Sequence, residues 1–400
     1  MMKSKMTMPL VITFVLGCFT RAEAGGIYLY ELGTEDVGLA NAGNAARADD
    51  ASVIAGNPAG MTRLEGRQLT VGAQMLYGDV EYDMDNSNLR GPGNVVGWLP
   101  GASTFYSHSI SDDLKLGVAL YGNFGLSLDY GKDWAGHNLV RKATLMGLTL
   151  QPSLAYRLDD QWALGAGVGL NYGIFSLERD RLSGESTTLD DTDIAPNVKL
   201  GVLYELSSAT RFGLVYTSKV EYDFDVDAEG VLPITNTPWS LPIDAGVSAP
   251  QQIMLSAVQD LNNYWSLLLN IGWQDWSSFS ETEISAGGIT RSLGIDLQDT
   301  FHGAVGFQYR ATEATHVNFG IAYDSSMYED QDDTSLFLPT GAAWRFGTGV
   351  MHQLNDHSSL GAAVEYLNIE DAKVNSPAVL AGSYDDPQMY FFTIHYNYRF

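Results

Sequence analysis

Cysteine and positive charge are what this 400-residue chain has least of. Its one cysteine, Cys18, excludes a disulfide framework and any cysteine-based zinc or iron–sulfur site. Lys and Arg number 22 against 48 Asp and Glu, a formal net charge of −26. That field repels a phosphate backbone and excludes nucleic acid as a partner. Charged residues of both signs make up 18%, below the ~25% of ordinary soluble chains. After residue 24 no apolar run reaches the ~20 residues that a membrane-spanning helix needs. No G-x-S-x-G serine-nucleophile motif is present, and neither acidic cluster, Asp190–Asp193 or Glu329–Asp333, has the glycine and terminal Glu of a calcium loop. Glycine and tyrosine are plentiful, at 42 and 21. A length of 400 would ordinarily mean two or three soluble domains, and this composition argues against that.

Residues 1–24 read as an export signal. Lys3 and Lys5 supply positive charge, Pro9 to Phe19 is a short apolar stretch, and Ala22-Glu23-Ala24 is a cleavage site. The alternatives are a membrane anchor, for which the stretch is too short, and lipoprotein processing at Cys18. Cleavage would remove Lys3, Lys5, Arg21 and Glu23, taking the net charge from −26 to −28.

The remainder alternates with a period of two, the signal of strands. Tyr390, Phe392, Ile394, Tyr396, Tyr398 and Phe400 share one face, with Thr393, His395, Asn397 and Arg399 on the other. Trp162 to Ile174 and Trp265 to Trp273 repeat the pattern. So do Phe212, Leu214, Tyr216, Val220, Tyr222 and Phe224. Short polar turns at 112–113, 159–160, 207–208, 262–263, 312–313 and 355–356 alternate with long polar loops near 82–97, 129–138, 179–192, 228–247, 277–291, 325–339 and 373–387. Six turns and seven loops join fourteen strands. Aromatics flank several turns (Tyr156 and Trp162, Tyr204 and Phe212, Trp265 and Tyr309), as at a membrane interface. The fold expected over 66–400 is an all-β, 14-stranded antiparallel transmembrane β-barrel, with an apolar face toward lipid and a polar face toward the lumen. A solenoid or propeller could also repeat about every 50 residues, but neither accounts for the one-sided loop lengths.

Residues 25–65 do not alternate. They are rich in Gly and Ala, with Leu32, Val37, Leu39, Val53 and Ile54 interspersed, and are expected to form an N-terminal hatch plugging the lumen rather than a disordered tail. Here the sequence resembles a known family. Gly38-Leu39, Gly43, Ala48-Asp49-Asp50-Ala51 and Asn57-Pro58-Ala59 resemble the hatch of FadL-type long-chain fatty acid outer-membrane transporters. Tyr204-Glu205-Leu206, Arg211-Phe212, Tyr222-Asp223-Phe224, Trp276-Ser277-Ser278-Phe279 and Gly320-Ile321-Ala322-Tyr323-Asp324 are similar to later segments of that family.

The resemblance implies passive uptake of long-chain fatty acids or similar hydrophobic molecules across the bacterial outer membrane, without enzymatic activity, metal or redox cofactor. The Gly122-Asn123-Phe124-Gly125 run interrupts the third strand, and by resemblance it is an inward kink opening a lateral gate. As a plain glycine run it would serve lumen packing. Arg179 matches a basic residue near the ligand carboxylate, with a loop salt bridge to Glu178 or Asp180 as the alternative. Arg291 and Lys219 are weaker candidates. Trp239 and Leu241, in an unusually apolar outer loop, are candidates for an uptake groove or for a loop folded over the mouth. The acidic clusters read as solvated charge, or as cation bridges to lipopolysaccharide. Implied partners are a hydrophobic ligand, outer-membrane lipids with lipopolysaccharide, and the barrel-assembly machinery, with the chain acting as a monomer. Competing readings are an aromatic-hydrocarbon channel of the same family, a general porin and an outer-membrane lipase.

Overall fold

The computed structural model describes residues 28–181, 184–232, 237–281, 283–286, 289–292 and 296–400, with only the backbone described for 228–241 and 280–295. The export signal expected over 1–24 lies outside the described residues.

Among these, fourteen antiparallel strands close a barrel. They are β1 (Arg67–Asp79), β2 (Gly97–Ser109), β3 (Leu114–Asp129), β4 (Lys142–Arg157), β5 (Trp162–Asp180), β6 (Ser186–Ser207), β7 (Thr210–Thr217), β8 (Gln252–Asp260), β9 (Trp265–Gln274), β10 (Thr300–Arg310), β11 (Thr315–Asp324), β12 (Ala343–Asn355), β13 (Ser358–Ile369) and β14 (Gln388–Arg399). Each pairs with its neighbours in sequence, and β1 joins β14 from Gln68 opposite Arg399 to Asp79 opposite Gln388. Closure leaves no edge strand, which is what a strand protein needs in lipid, and a local gap between β2 and β3 remains unpaired.

The alternation has the expected sides. Val71, Leu164, Val168, Leu200, Leu214, Ile271, Phe301, Phe346 and Ile394 point outward and are exposed, while Asn171, Asn197, Lys199, Asn270, Asn318 and Asn397 are buried inside. Trp162 stacks near Tyr204 (ring centroids 4.4 Å) and Trp265 near Tyr309 (4.6 Å) at the short-turn end. Tyr77 with Trp98 (4.8 Å) and Tyr323 with Trp344 (4.9 Å) lie at the long-loop end. Two aromatic belts thus bracket the apolar band.

Residues 28–64 lie within the barrel, folded as Thr34–Gly38, Val53–Gly56 and Pro58–Arg63 helical turns, and are almost wholly buried. Wall glycines admit this segment's backbone. A Cβ on Gly213 would fall 1.8 Å from the Ala45 carbonyl oxygen, and one on Gly320 would fall 2.0 Å from the Leu39 carbonyl. Much of the glycine surplus is therefore contact surface.

The structure changes three expectations at the long-loop end. The strand expected over 210–227 breaks at Ser218-Lys219 and a hairpin follows, Val220–Leu232 with Thr237–Ala249, extended by Glu283–Ala286 and Ile289–Ser292 into a four-stranded sheet. The segment expected as loop 228–247 is therefore largely strand. Val220, Tyr222 and Phe224 do not meet lipid. They are buried in an interior cluster with Tyr28, Phe124 and Trp276, because the break turns the hairpin so that the apolar face covers the lumen. The loop expected over 179–192 shrinks to the few residues between Asp180 and Ser186, since β5 and β6 stay paired to the end of both strands. Asp191 and Asp193 belong to β6 and accept the Asp225 and Asp223 backbone N–H at 2.8 and 2.9 Å, so two of the three aspartates of that acidic cluster hold the hairpin in place. A second outer sheet, with Tyr82, Tyr130, Trp134 and Tyr384 buried beneath it, covers the opposite side of the mouth.

Candidate functional site

The barrel wall is interrupted between β2 and β3. The β2–β3 ladder runs from Ser109 opposite Lys115 only to Thr104 opposite Leu120. Beyond it, β2 continues on β1 alone and β3 on β4 alone. The two meet again where the Asp129 N–H donates to the Val95 carbonyl at 2.7 Å. A window therefore spans Tyr121–Leu128. Within it, β3 slips register against β4 between Gly122 and Phe124, leaving Asn123 as a bulge that bends the strand.

Inside the window, Tyr28 bridges Phe124, and the Leu29 N–H donates to the Asn123 carbonyl at 3.1 Å. The N-terminal segment thus takes up hydrogen bonding that β2 has given up. A Cβ on Gly122 would meet only the Gly147 oxygen at 3.8 Å, and one on Gly125 nothing closer than 3.7 Å. Packing does not force glycine there, unlike at Gly213. What glycine leaves is room. Behind Gly125 lies a cavity of about 70 Å³, walled by Leu29, Val96, Leu99, Leu126 and Phe391 and reaching Glu31 and Arg345.

Arg345 is the centre of a buried ion cluster that sequence reasoning missed. Its Nε bonds Asp324, its Nη1 bonds Glu31 of the N-terminal segment, and Glu365 lies 3.6 Å away. His302 Nδ1 is 2.6 Å from Asp324, and the guanidinium stacks over the Tyr30 ring at 5.2 Å. Nearer the short-turn end, Arg47 joins Glu35 and Asp36, His316 meets Glu35 at 3.3 Å, and His395 approaches Asp50 at 3.7 Å. Burial, then the nearby Asp49 charge, pushes the Glu35 carboxyl up to about 7.

The remaining expected residues are placed as follows. Asn57 donates to the Ala45 and Val202 carbonyls (2.7 and 3.0 Å) and accepts the Ala59 N–H at 3.0 Å, capping the turn that Pro58 begins. Asp50 accepts the Ser52 N–H at 2.8 Å, and Asp49 borders a polar cavity at the short-turn mouth with Arg310 and His316. Arg179 stands opposite Thr187, half-buried and without an ion pair among the described residues, because Glu178 and Asp180 are engaged by Arg141 at 3.1 and 2.8 Å. Lys219 meets Glu221 at 2.6 Å at the half-exposed hairpin base. The backbones of Trp239, Leu241 and Arg291 pair with Gly230, Ala228 and Ile284, and their side chains lie outside what is described. Among the residues whose side chains are described, Arg179 and Lys219 make no hydrogen bond or ion pair with the window group or the Asn57 group. The window group and the Asn57 group each form a compact unit.

A family model described as outer membrane protein transport protein (OMPP1/FadL/TodX) matches residues 16–400. The chain belongs to this family. It is thus an outer-membrane transport protein of the OMPP1/FadL/TodX type, and the lipid its apolar band meets is the outer membrane. A long-chain fatty acid transport protein of Salmonella typhi is 25% identical over 95% of each chain. Among solved structures, a Pseudomonas aeruginosa FadL homologue superposes with a TM-score of 0.80 at 18% identity, over 94% of this chain and 100% of that one. The Ralstonia pickettii toluene transporter TbuX gives 0.71 at 17%, over 93% and 99%. At these identities the structures speak for the fold that the OMPP1/FadL/TodX protein shares with them.

Proposed function

We propose that this protein passively takes up long-chain fatty acids or similar hydrophobic molecules and performs no chemistry on them. The ligand is collected at the outer hairpin and passes through the aromatic interior beneath Tyr222 and Phe224. It leaves sideways into the membrane through the β2–β3 window, with residues 25–65 as the hatch that keeps water and ions from following. The observation that carries this reading is the window itself. An interrupted ladder, a bulge at Asn123, two glycines without packing need and an apolar cavity coincide there. A sideways exit spares an apolar chain the aqueous periplasm, and burial of each methylene favours that route by about 0.8 kcal/mol. Arg179, exposed to neither Glu178 nor Asp180, remains the candidate for gripping a carboxylate near the outer end of the path. The partners follow from the reading: a hydrophobic ligand, lipopolysaccharide around the wall, the barrel-assembly machinery during biogenesis, and no second copy.

Uptake of oleate and of toluene by a deletion strain carrying Gly122→Trp/Gly125→Trp tests it. The double variant is expected to insert and fold but lose uptake of the substrate by about tenfold or more. Uptake equal to the unaltered protein overturns the lateral route. The oleate-to-toluene ratio of the unaltered protein assigns the substrate class.

A further inference from the structure

Four basic side chains are deeply buried among the described residues: Arg47, Lys115, Lys199 and Arg345. Arg47 faces Glu35 and Asp36, and Arg345 faces Asp324, Glu31 and Glu365. Lys115 sits just past the Asp112-Asp113 turn and donates to Ser109 Oγ at 2.9 Å. Lys199 is unlike these. It lies mid-wall on β6, its Nζ donates to the Ala55 carbonyl and sits 5.8 Å from the Tyr121 ring centroid, and among the described residues no carboxylate is salt-bridged to it, Asp36 (itself paired with Arg47) acting on it only from farther away. An ammonium has three N–H donors. Burying one without a directly paired counter-ion is costly, and such a site favours an arriving anion.

A second observation points to the same spot. Thr217 stands opposite Lys199 on β7, is 5% exposed, and its Oγ1 has no hydrogen-bond partner. Lys199 and Thr217 line one cavity of about 20 Å³ with Val215, Gln252 and Met254. That is room for a single water between polar groups. Tyr28 and Leu29 line this cavity as well as the one behind the window, so they form a wall common to both. Gln252 holds Tyr28 there by donating to its hydroxyl at 2.6 Å.

We propose that Lys199 and Thr217 form a carboxylate site in the interior of the transport path. The head group of an anionic lipid pairs with the Lys199 ammonium and accepts a hydrogen bond from the Thr217 hydroxyl, while its chain lies along Val215 and Met254. The cavity is too small for a chain, so occupancy requires Tyr28 and Leu29 to withdraw. This site rests on the uptake reading and adds to it a preference for acids over neutral hydrocarbons at a step distinct from capture at the outer loops.

Palmitate and methyl palmitate binding to purified full-length protein, above the carboxyl's ordinary titration range, tests the proposal. The unaltered protein is expected to favour the acid by about tenfold, as a charge-assisted pair gives. Lys199→Met should abolish that preference and leave the ester affinity unchanged. Thr217→Val should reduce it severalfold. Carbon NMR of carboxyl-labelled palmitate should show the bound acid titrating lower in the unaltered protein than in Lys199→Met. A retained preference in Lys199→Met overturns the proposal, and so does an equal loss for acid and ester, which marks Lys199 as an anchor for Ala55 only. Should Lys199→Met fail the heat-dependent mobility shift of a folded barrel, Thr217→Val decides, and an unaltered preference there overturns the site. Absence of binding by both probes to the unaltered protein overturns the uptake reading together with the site.

Discussion

The Leu29 N–H donates to the Asn123 carbonyl at 3.1 Å, in the stretch of β3 that β2 leaves unpaired. This hydrogen bond, beside the Tyr28–Phe124 bridge, ties the N-terminal segment to the bulge of the window. Leu29→Pro removes the donor and nothing polar besides. The expected outcome is a loss of about 1 kcal/mol in local stability, read as faster amide exchange over residues 28–32 with the barrel amides unchanged.

The glycine contacts give a paired test. Gly213→Ala and Gly320→Ala force a methyl into the backbone of Ala45 and Leu39, whereas a Cβ on Gly303 meets nothing within 4 Å. Overpacking should cost about 1–3 kcal/mol in the first two and little in the third. Planar-bilayer conductance is expected to rise for Gly213→Ala and Gly320→Ala as the segment loosens, and to stay at the parent level for Gly303→Ala.

Arg345 is the shared cationic partner of three buried carboxyl groups, Asp324, Glu31 and Glu365. Arg345→Met strands them, an expected loss of about 3–5 kcal/mol measured by urea unfolding in detergent. Arg345→Lys should recover only part of this, because an ammonium lacks the flat, forked donor set that spans Asp324 and Glu31 together.

Glu35 gives a pH dependence of fixed sign. Its carboxyl is raised to about 7 by burial and then by Asp49, so the docked segment holds that proton more tightly than the undocked one. The contribution is full below the ordinary carboxyl range and is lost as pH rises through 7. Amide protection of residues 33–50 should fall across that window, and Glu35→Gln should flatten the fall.

Much of this was legible in the sequence. The period-two faces, the terminal strand from Tyr390 and the alternation of short turns with long loops gave fourteen strands, which the barrel has. The glycine run at 122–125 marked β3 as irregular. It could not reveal that the partner edge was missing, because that edge belongs to β2. Tyr222 and Phe224 kept the parity of Phe212 and Leu214, and only the three-dimensional turn at Ser218-Lys219 placed them inside. Arg345 and Lys199 fall on lumen-side positions of alternating strands, and nothing in the linear pattern sets them apart. Their meaning lies in what stands beside them, three salt-bridged carboxylates in one case and, among the described residues, no salt-bridged carboxylate in the other, and a linear pattern carries no such information.

The same glycine-to-backbone contacts bear on how the wall and the inner segment can vary. Residues 37–59 lie so close to glycines of strands from β5 to β12 that a single methyl on Gly165, Gly213, Gly320 or Gly347 would collide with their backbone. The wall and the segment within it are therefore one fitted surface, and a side chain added to either is felt by the other.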